Sequence, residues 1–191
     1  MASRIVGSLK SLCTNNVALL LCDMQDRFSS HIFAFDKITD NCNRAIDSCK
    51  LLNIPLIATE QYPRGLGHTV PQIHLNDIVP VEKTRFSMKV PGVTKLIHKD
   101  ITNLIIIGIE SHVCVLQSTL DFLDDGYTVH LPIDAISSRS QIDRTFGFKR
   151  AKQAGALLTT TESLIFQLCK DAQHPQFKQI QSFFRKLITI D

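Results

Sequence analysis

A cysteine at position 114 follows directly on an apolar run: Asn103-Leu104-Ile105-Ile106-Ile107-Gly108-Ile109-Glu110-Ser111-His112-Val113-Cys114. The run has the length and composition of a buried strand, and the residues after it have helical spacing. Cys114 therefore falls beyond a strand's carboxyl end, in the first turn of the next helix. Backbone N–H groups at that place lack helical partners. The helix dipole there favours a thiolate, and the same N–H groups can receive a developing oxyanion. Two charged residues stand at comparable places: Asp23 ends the run Val17–Cys22, and Lys83 ends the stretch Val79–Glu82. A thiol, a carboxylate and an ammonium are the parts of a nucleophile with a proton carrier and a fixed cation. Singly, each has a commoner role as a buried hydrophobe, a turn former or a solvated head group. Their shared position at three strand ends is what favours chemistry.

Those ends meet only if the strands lie side by side. Val17–Cys22, Ile54–Thr59, Val79–Glu82, Leu104–Ile109, Thr128–Leu131 and Ala156–Thr160 read as six strands. Helical spacing covers Phe35–Leu52, Val93–His98, His112–Asp125, Gln141–Ala154 and Glu162–Lys170, with a last amphipathic stretch at Phe177–Ile188. Gly126 and Gly155 stop two of these helices. Strands apolar on both faces and separated by helices imply a parallel sheet covered on both sides. The expected architecture is α/β: a three-layer α/β/α sandwich around a six-stranded, mainly parallel sheet of Rossmann-like kind. The 191 residues suit one domain spanning 1–191, with a core of about 15–170 and a C-terminal helix at about 176–188. In such sheets ligands bind outside the carboxyl ends, where the strand order reverses. Asp23, Lys83 and Cys114 fall there, as do Thr59, Glu60 and Gln61. The irregular stretch Tyr62–Asn76 is long enough to suggest a functional loop.

Composition excludes several classes. A net charge of +3 without a Lys/Arg run argues against a nucleic-acid surface. The longest apolar runs are strand-sized, so no membrane span is expected. No Gly-x-Gly-x-x-Gly follows the first strand, which excludes a nicotinamide-dinucleotide enzyme. Six cysteines occur without Cys-x-x-Cys or Cys/His ligand spacing, which argues against structural zinc. Five of them, including Cys42 and Cys49, read best as small buried hydrophobes. A reducing cytoplasm is the expected compartment. The first 22 residues carry Arg4 and Lys10 and no acid, as mitochondrial presequences do, but a strand starting at Val17 leaves little to cleave.

Three segments together carry a resemblance: Leu21-Cys22-Asp23-Met24-Gln25-Asp26-Arg27-Phe28, then Glu82-Lys83-Thr84-Arg85-Phe86-Ser87, then Gly108-Ile109-Glu110-Ser111-His112-Val113-Cys114-Val115. In this order and spacing the chain resembles the isochorismatase-like cysteine hydrolases, a family that includes nicotinamidases, carbamoylsarcosine amidohydrolases and the animal isochorismatase-domain proteins. The similarity runs from about residue 15 to about 170 and includes Thr59-Glu60-Gln61-Tyr62-Pro63 and Asp134-Ala135-Ile136-Ser137-Ser138-Arg139.

The resemblance implies a triad of Asp23, Lys83 and Cys114. It also implies a cis peptide at Ile109–Glu110, with backbone N–H groups near Glu110 and Cys114 holding an oxyanion. Closed homo-oligomers are common in the family, and Phe177–Ile188, with Phe183, Phe184 and Leu187, is a candidate contact that could equally pack on its own sheet. Phe28, Gln61, Tyr62 and Phe86 are candidate substrate contacts, and Phe33 is a further candidate wall. Arg64 is a candidate for an anionic group, although a solvated arginine is the commoner role. Asp134 and Arg139 read as parts of a structural turn.

One departure matters. Nicotinamidases of the family bind a metal through Asp-x-His and a second His, whereas the matching stretch here runs Thr59-Glu60-Gln61-Tyr62-Pro63-Arg64-Gly65-Leu66-Gly67-His68. His68, His74 and His112 therefore read as surface or turn residues, and neither metal nor other cofactor is expected. The isochorismatase reaction itself cleaves a vinyl ether and needs no thiol, so Cys114 favours acyl transfer. The expected function is a metal-independent cysteine hydrolase that cleaves a small amide or related C–N bond through a thioester-type intermediate. A non-catalytic ligand-binding or scaffold protein on the same fold is the alternative, and a ribonuclease a more distant one.

Overall fold

The computed structural model describes residues 12–188 and 190. Residues 1–11, half of the presequence-like stretch, lie outside the described residues. The first half of the chain forms β1 (Val17–Cys22), α1 (Phe35–Leu51), β2 (Leu56–Gln61), α2 (Pro63–Leu66), β3 (Val81–Lys83), α3 (Pro91–Thr94) and β4 (Asn103–Ile109). The second half forms α4 (Leu116–Asp124), β5 (Thr128–Pro132), β6 (Ile136–Ser137), α5 (Gln141–Ala154), β7 (Leu157–Thr159), α6 (Thr161–Cys169) and α7 (Phe177–Phe183). The strands are parallel, in the order β3-β2-β1-β4-β5-β7, with β6 paired to the end of β4.

The alternation of strand side chains divides the apolar residues between two cores. Val17, Leu19 and Leu21 join Ile105, Ile107 and Ile109 on the face covered by α1, α6 and α7, where Ile38, Leu164 and Ile180 pack. Ala18, Leu20 and Cys22 join Leu104 and Ile106 on the face covered by α3, α4 and α5, where Val93, Phe122 and Phe148 pack. Every residue of β1 and β4 is buried. The expected three-layer α/β/α architecture is therefore present, with seven strands instead of six. The additional strand, β6, has two residues, too few to register as an apolar run.

Other boundaries move for local reasons. β2 begins two residues later than its apolar run suggested, because Asn53 turns the chain at φ 56 and the Ile54 N–H closes α1 on Cys49. It runs two residues further because polar Glu60 and Gln61 pair with Glu82 and Lys83 of β3. The last helix ends at Phe183 instead of Ile188. There the Phe184 ring packs on Phe166 and under the Arg44 guanidinium, which also donates to the Lys186 carbonyl. The final amphipathic segment thus packs on its own chain, while Leu187 stays exposed.

Candidate active site at the β1–β4 switch point

From β1 the chain moves outward through β2 and β3 and returns on the other side of β1 with β4. The crevice between the ends of β1 and β4 is where ligands enter such sheets. Asp23 lies directly after β1, with a left-handed φ of 50 that aspartate tolerates better than most residues. Its backbone N–H donates to the Thr59 carbonyl (3.2 Å). Its buried carboxylate accepts from Thr59 Oγ1 on one oxygen (2.7 Å) and from Lys83 Nζ on the other (2.7 Å). Lys83 ends β3, two strands or about 9.6 Å from β1. Its long, fully buried side chain crosses the end of β2 to reach Asp23. The ammonium also donates to Gln61 Oε1 (2.8 Å), the Phe86 carbonyl (3.0 Å) and the Arg85 carbonyl (3.2 Å). Burial alone would lower its pKa, but the acidic groups around it, Cys22, Asp23 and Cys114, outweigh burial and raise it above the ordinary lysine value. A buried charge is tolerated only with such partners.

Cys114 enters from the other side. The Ile109–Glu110 peptide is cis, as the resemblance implied. A wide π-type turn over Ser111–Val115 then leads into α4. Within it, the Val113 and Val115 N–H groups both bond the Glu110 carbonyl (3.1 and 3.2 Å). Side chains fix the turn to its surroundings. Ser118 Oγ donates to the Cys114 carbonyl (2.6 Å) and accepts from the Met88 N–H (2.7 Å). Ser111 Oγ donates to the Arg144 carbonyl (3.0 Å), and Glu110 Oε2 accepts from the Arg139 N–H (2.9 Å).

Asp23, Lys83 and Cys114 are thus brought to one crevice. The Cys114 sulfur, the Cys22 sulfur and an Asp23 carboxylate oxygen all lie within 4.8 Å of one another. Cys22 Sγ is 3.6 Å from Asp23 Oδ2. Sequence reasoning counted Cys22 as ordinary core. The available signal was its place next to Asp23, on the strand face turned toward the core that Cys114 joins. Burial first, then its hydrogen bond toward Cys114 and the charge of Asp23, hold the Cys22 thiol well above the ordinary cysteine range.

A cavity of about 730 Å³ opens over Cys114, lined by Asp23, Phe28, Gln61, Tyr62, Gly65, Leu66, Thr84, Phe86, Ile109, Glu110, Val113 and Cys114. Phe28, Gln61, Tyr62 and Phe86 therefore all face it. Tyr62 and Phe86 are half-exposed at its rim. Phe33 is not part of the lining; its backbone is tied to Ser137 and Ser138 instead. The Gln61 amide is already engaged, accepting from Lys83 and donating to the Thr84 carbonyl (2.8 Å). Arg64 borders a neighbouring groove rather than this cavity.

The histidines are placed elsewhere. Exposed His68 pairs with Glu60 (3.0 Å), exposed His74 with Asp47 (2.9 Å), and His112 Nδ1 contacts Ser138 Oγ (3.0 Å). The stretch that holds metal in nicotinamidases does not fit one here. Both Glu60 oxygens are engaged, by His68 and by Thr69, and Gln61 is committed to Lys83 and Thr84. Among the described residues Cys22, Asp23 and Cys114 alone group as possible metal ligands, and there the Lys83 ammonium already sits on the carboxylate. Asp134 has a structural role, its Oδ1 accepting from the Thr161 N–H (2.8 Å) and Oγ1 (2.9 Å).

The doubly wound sheet, with a thiol, a carboxylate and an ammonium gathered at its switch point, is an isochorismatase-like hydrolase architecture. Residues 17–163 match the isochorismatase domain model. The chain is 46% identical over 181 residues to isochorismatase family protein 1A of Dictyostelium discoideum, covering 91% of this chain and 88% of that one. It is 42% identical to human isochorismatase domain-containing protein 2, covering 94% and 88%. Among solved structures, that of MAR1 ribonuclease from Caenorhabditis elegans superposes with a TM-score of 0.89 at 44% identity, covering 93% of this chain and 94% of that one. The chain belongs to the isochorismatase family, on the animal isochorismatase-domain side of it.

Proposed function

We propose that this chain is a metal-independent cysteine hydrolase of small, uncharged amides or related C–N bonds. The observation that carries the reading is the meeting of Cys114 and Asp23 at one open cavity, with the Lys83 ammonium paired to the Asp23 carboxylate behind it. Cys114 sulfur attacks the carbonyl carbon, and its proton passes to Asp23. The backbone turn around Glu110 and Cys114 receives the oxyanion. Asp23 returns the proton to the leaving amine, and a thioester remains on Cys114. Asp23 then draws a proton from water, whose oxygen attacks the thioester carbon; the C–S bond breaks, the acid leaves, and Asp23 returns the proton to the Cys114 sulfur. Lys83 stays protonated throughout and keeps the carboxylate in place. The separation of up to 4.8 Å between Asp23 and Cys114 is within the looseness common to sites without substrate.

The lining supports a neutral substrate. Its walls are Phe28, Tyr62, Leu66, Phe86, Ile109 and Val113, and its two carboxylates are held by Lys83 and by the Arg139 N–H. Among the described residues no lysine, arginine or histidine lines it, so the lining favours an uncharged substrate over an anionic one.

A second reading comes from the C. elegans relative, which bears the name ribonuclease. RNA needs cations for its phosphates, and the described residues of the lining include none. The discriminating experiment is a panel of small amides and an RNA oligonucleotide, each run with wild type and Cys114→Ala. Hydrolysis of an amide, lost by at least about a thousandfold in Cys114→Ala, with an acyl adduct trapped on Cys114 by mass spectrometry, supports the amidase. RNA cleavage abolished by Cys114→Ala supports the second reading. Tight ligand binding without turnover of either would leave a binding protein on this fold.

A further inference from the structure

The proposed chemistry uses one sulfur, yet the crevice contains two. Cys22 is fully buried, and its sulfur lies within 4.8 Å of Cys114 Sγ and 3.6 Å from Asp23 Oδ2. It has no access to substrate, because the cavity is lined by Cys114 and Asp23 but not by Cys22. Both sulfurs belong to the same core cluster, whereas Cys42, Cys49 and Cys169 belong to the core on the opposite face of the sheet. A disulfide needs its sulfurs about 2.05 Å apart. Rotation about the Cα–Cβ bonds swings a cysteine sulfur by a comparable distance to the gap that remains.

We propose that Cys22 and Cys114 form a modification site, at which a hydroperoxide entering the cavity converts the two thiols into a disulfide. This inference rests on Cys114 being the reactive thiol of the proposed function. The Cys114 thiolate attacks the peroxide; an S–O bond forms, the O–O bond breaks, and the leaving oxygen takes the thiol proton by way of Asp23. The product is a Cys114 sulfenic acid and an alcohol, or water if the oxidant is hydrogen peroxide. Cys22 then gives its proton to Asp23 and its sulfur attacks the Cys114 sulfur. The S–S bond forms, the S–O bond breaks, and the hydroxide leaves with the proton as water. Two thiols lose two electrons and one hydroperoxide gains them.

The order of events follows from position. Cys114 meets the cavity and so meets the oxidant. Cys22 is held as a thiol by burial and by the neighbouring Cys114 and Asp23. It is not oxidised first, and the Asp23 carboxylate lies within reach to take its proton. The disulfide removes the nucleophile reversibly and shields it from the sulfinic and sulfonic acids that end thiol chemistry.

The test is peroxide treatment of the full chain, alkylation of the remaining thiols, and peptide mapping by mass spectrometry without reductant. The expected result is a chain lighter by two hydrogens, two fewer alkylated cysteines, and a peptide linking Cys22 to Cys114 that dithiothreitol separates. In Cys22→Ser, the same treatment should drive Cys114 to sulfinic and sulfonic acid that dithiothreitol does not reverse. Sulfinic acid on Cys114 of the wild type with Cys22 still free overturns the proposal, as does a disulfide between any other pair or an unreacted Cys114. The wild-type map decides the matter even if Cys22→Ser fails to fold. The map reads mass and not turnover, so a failed amide panel and a failed disulfide remain distinct results.

Discussion

Lys83 makes four polar contacts from a fully buried ammonium, and one of them, to Asp23, closes a pair that neither residue could hold alone. Removing one partner of such a pair leaves an uncompensated buried charge, which costs about 3–5 kcal/mol. Lys83→Met is therefore expected to lower unfolding free energy by that amount and to remove amide turnover. Asp23→Asn removes the proton carrier and the counter-charge of Lys83, but the ammonium keeps the Gln61, Arg85 and Phe86 oxygens as acceptors. Lys83→Met instead leaves the Asp23 carboxylate, among the described residues, only Thr59 Oγ1 and the weak Cys22 thiol. Asp23→Asn should therefore cost less stability than Lys83→Met while losing as much turnover; denaturant titration beside a rate assay checks both. Turnover retained in a folded Asp23→Asn would mean that the pair acts as structure alone. At this scale the sequence was informative where a residue's type conflicted with its place. An Asp, a Lys and a Cys at strand ends stand out against apolar runs. Cys22 does not stand out, because a cysteine at the end of a buried strand is indistinguishable from a small hydrophobe. Thr59 was noticed at a strand end, but its donation to Asp23 depends on the pairing of β1 with β2.

Elements set the site through two close approaches that only glycine permits. Gly108 lies in β4 at φ 107, and a Cβ there would overlap the carbonyl oxygen of Cys22. Gly147 lies in α5, and a Cβ there would overlap the side chain and backbone of Ser111, at the start of the turn that carries Cys114. Gly108→Ala is expected to push β4 off β1 at a cost of about 3 kcal/mol, read as a lower urea midpoint. Gly147→Ala should instead shift the turn against α5. The expected outcome is a fall in kcat of about tenfold or more with a smaller change in KM, because misplacing the nucleophile slows chemistry while the walls outside the turn, Phe28, Tyr62, Leu66 and Phe86, stay in place. A Gly147→Ala enzyme with unchanged kcat would show that the turn is held by Ser118 and Glu110 without help from α5. Legibility of the elements followed their end signals. α5 matches its expected span at both ends, since Ser140 accepts from the Asp143 N–H (3.1 Å) and Gly155 stops the helix at φ 114. The end of α7 was not legible, because the Phe166 and Arg44 contacts that end it come from distant sequence.

Across the whole molecule, the two ends of the sheet do different work, and a titration can separate them. The crevice lies at the carboxyl end. Near the other end His130 of β5 is buried, with Nε2 on Asn103 Oδ1 (3.1 Å) at the start of β4. Burial lowers the His130 pKa from 6.5 to about 4. Its folded-state value lies below its unfolded value, so the unfolded chain binds the extra proton between those two pH values. Stability from a neutral His130 is therefore fully present above pH 6.5 and declines as pH falls toward about 4. The decline is on the order of 3 kcal/mol. Carboxylates also titrate in this range, so the measurement that isolates His130 is a difference. His130→Gln keeps an amide N–H for Asn103 and removes the titration. Thermal or urea unfolding of both proteins across this pH window should show wild type losing stability relative to His130→Gln as the pH drops, with the two curves parallel above it. Curves parallel throughout would place a charged or solvated imidazole at position 130. Because Asn103 and Cys114 lie at opposite ends of β4, the effect should appear in unfolding and leave the alkylation rate of Cys114 in the folded protein the same in both.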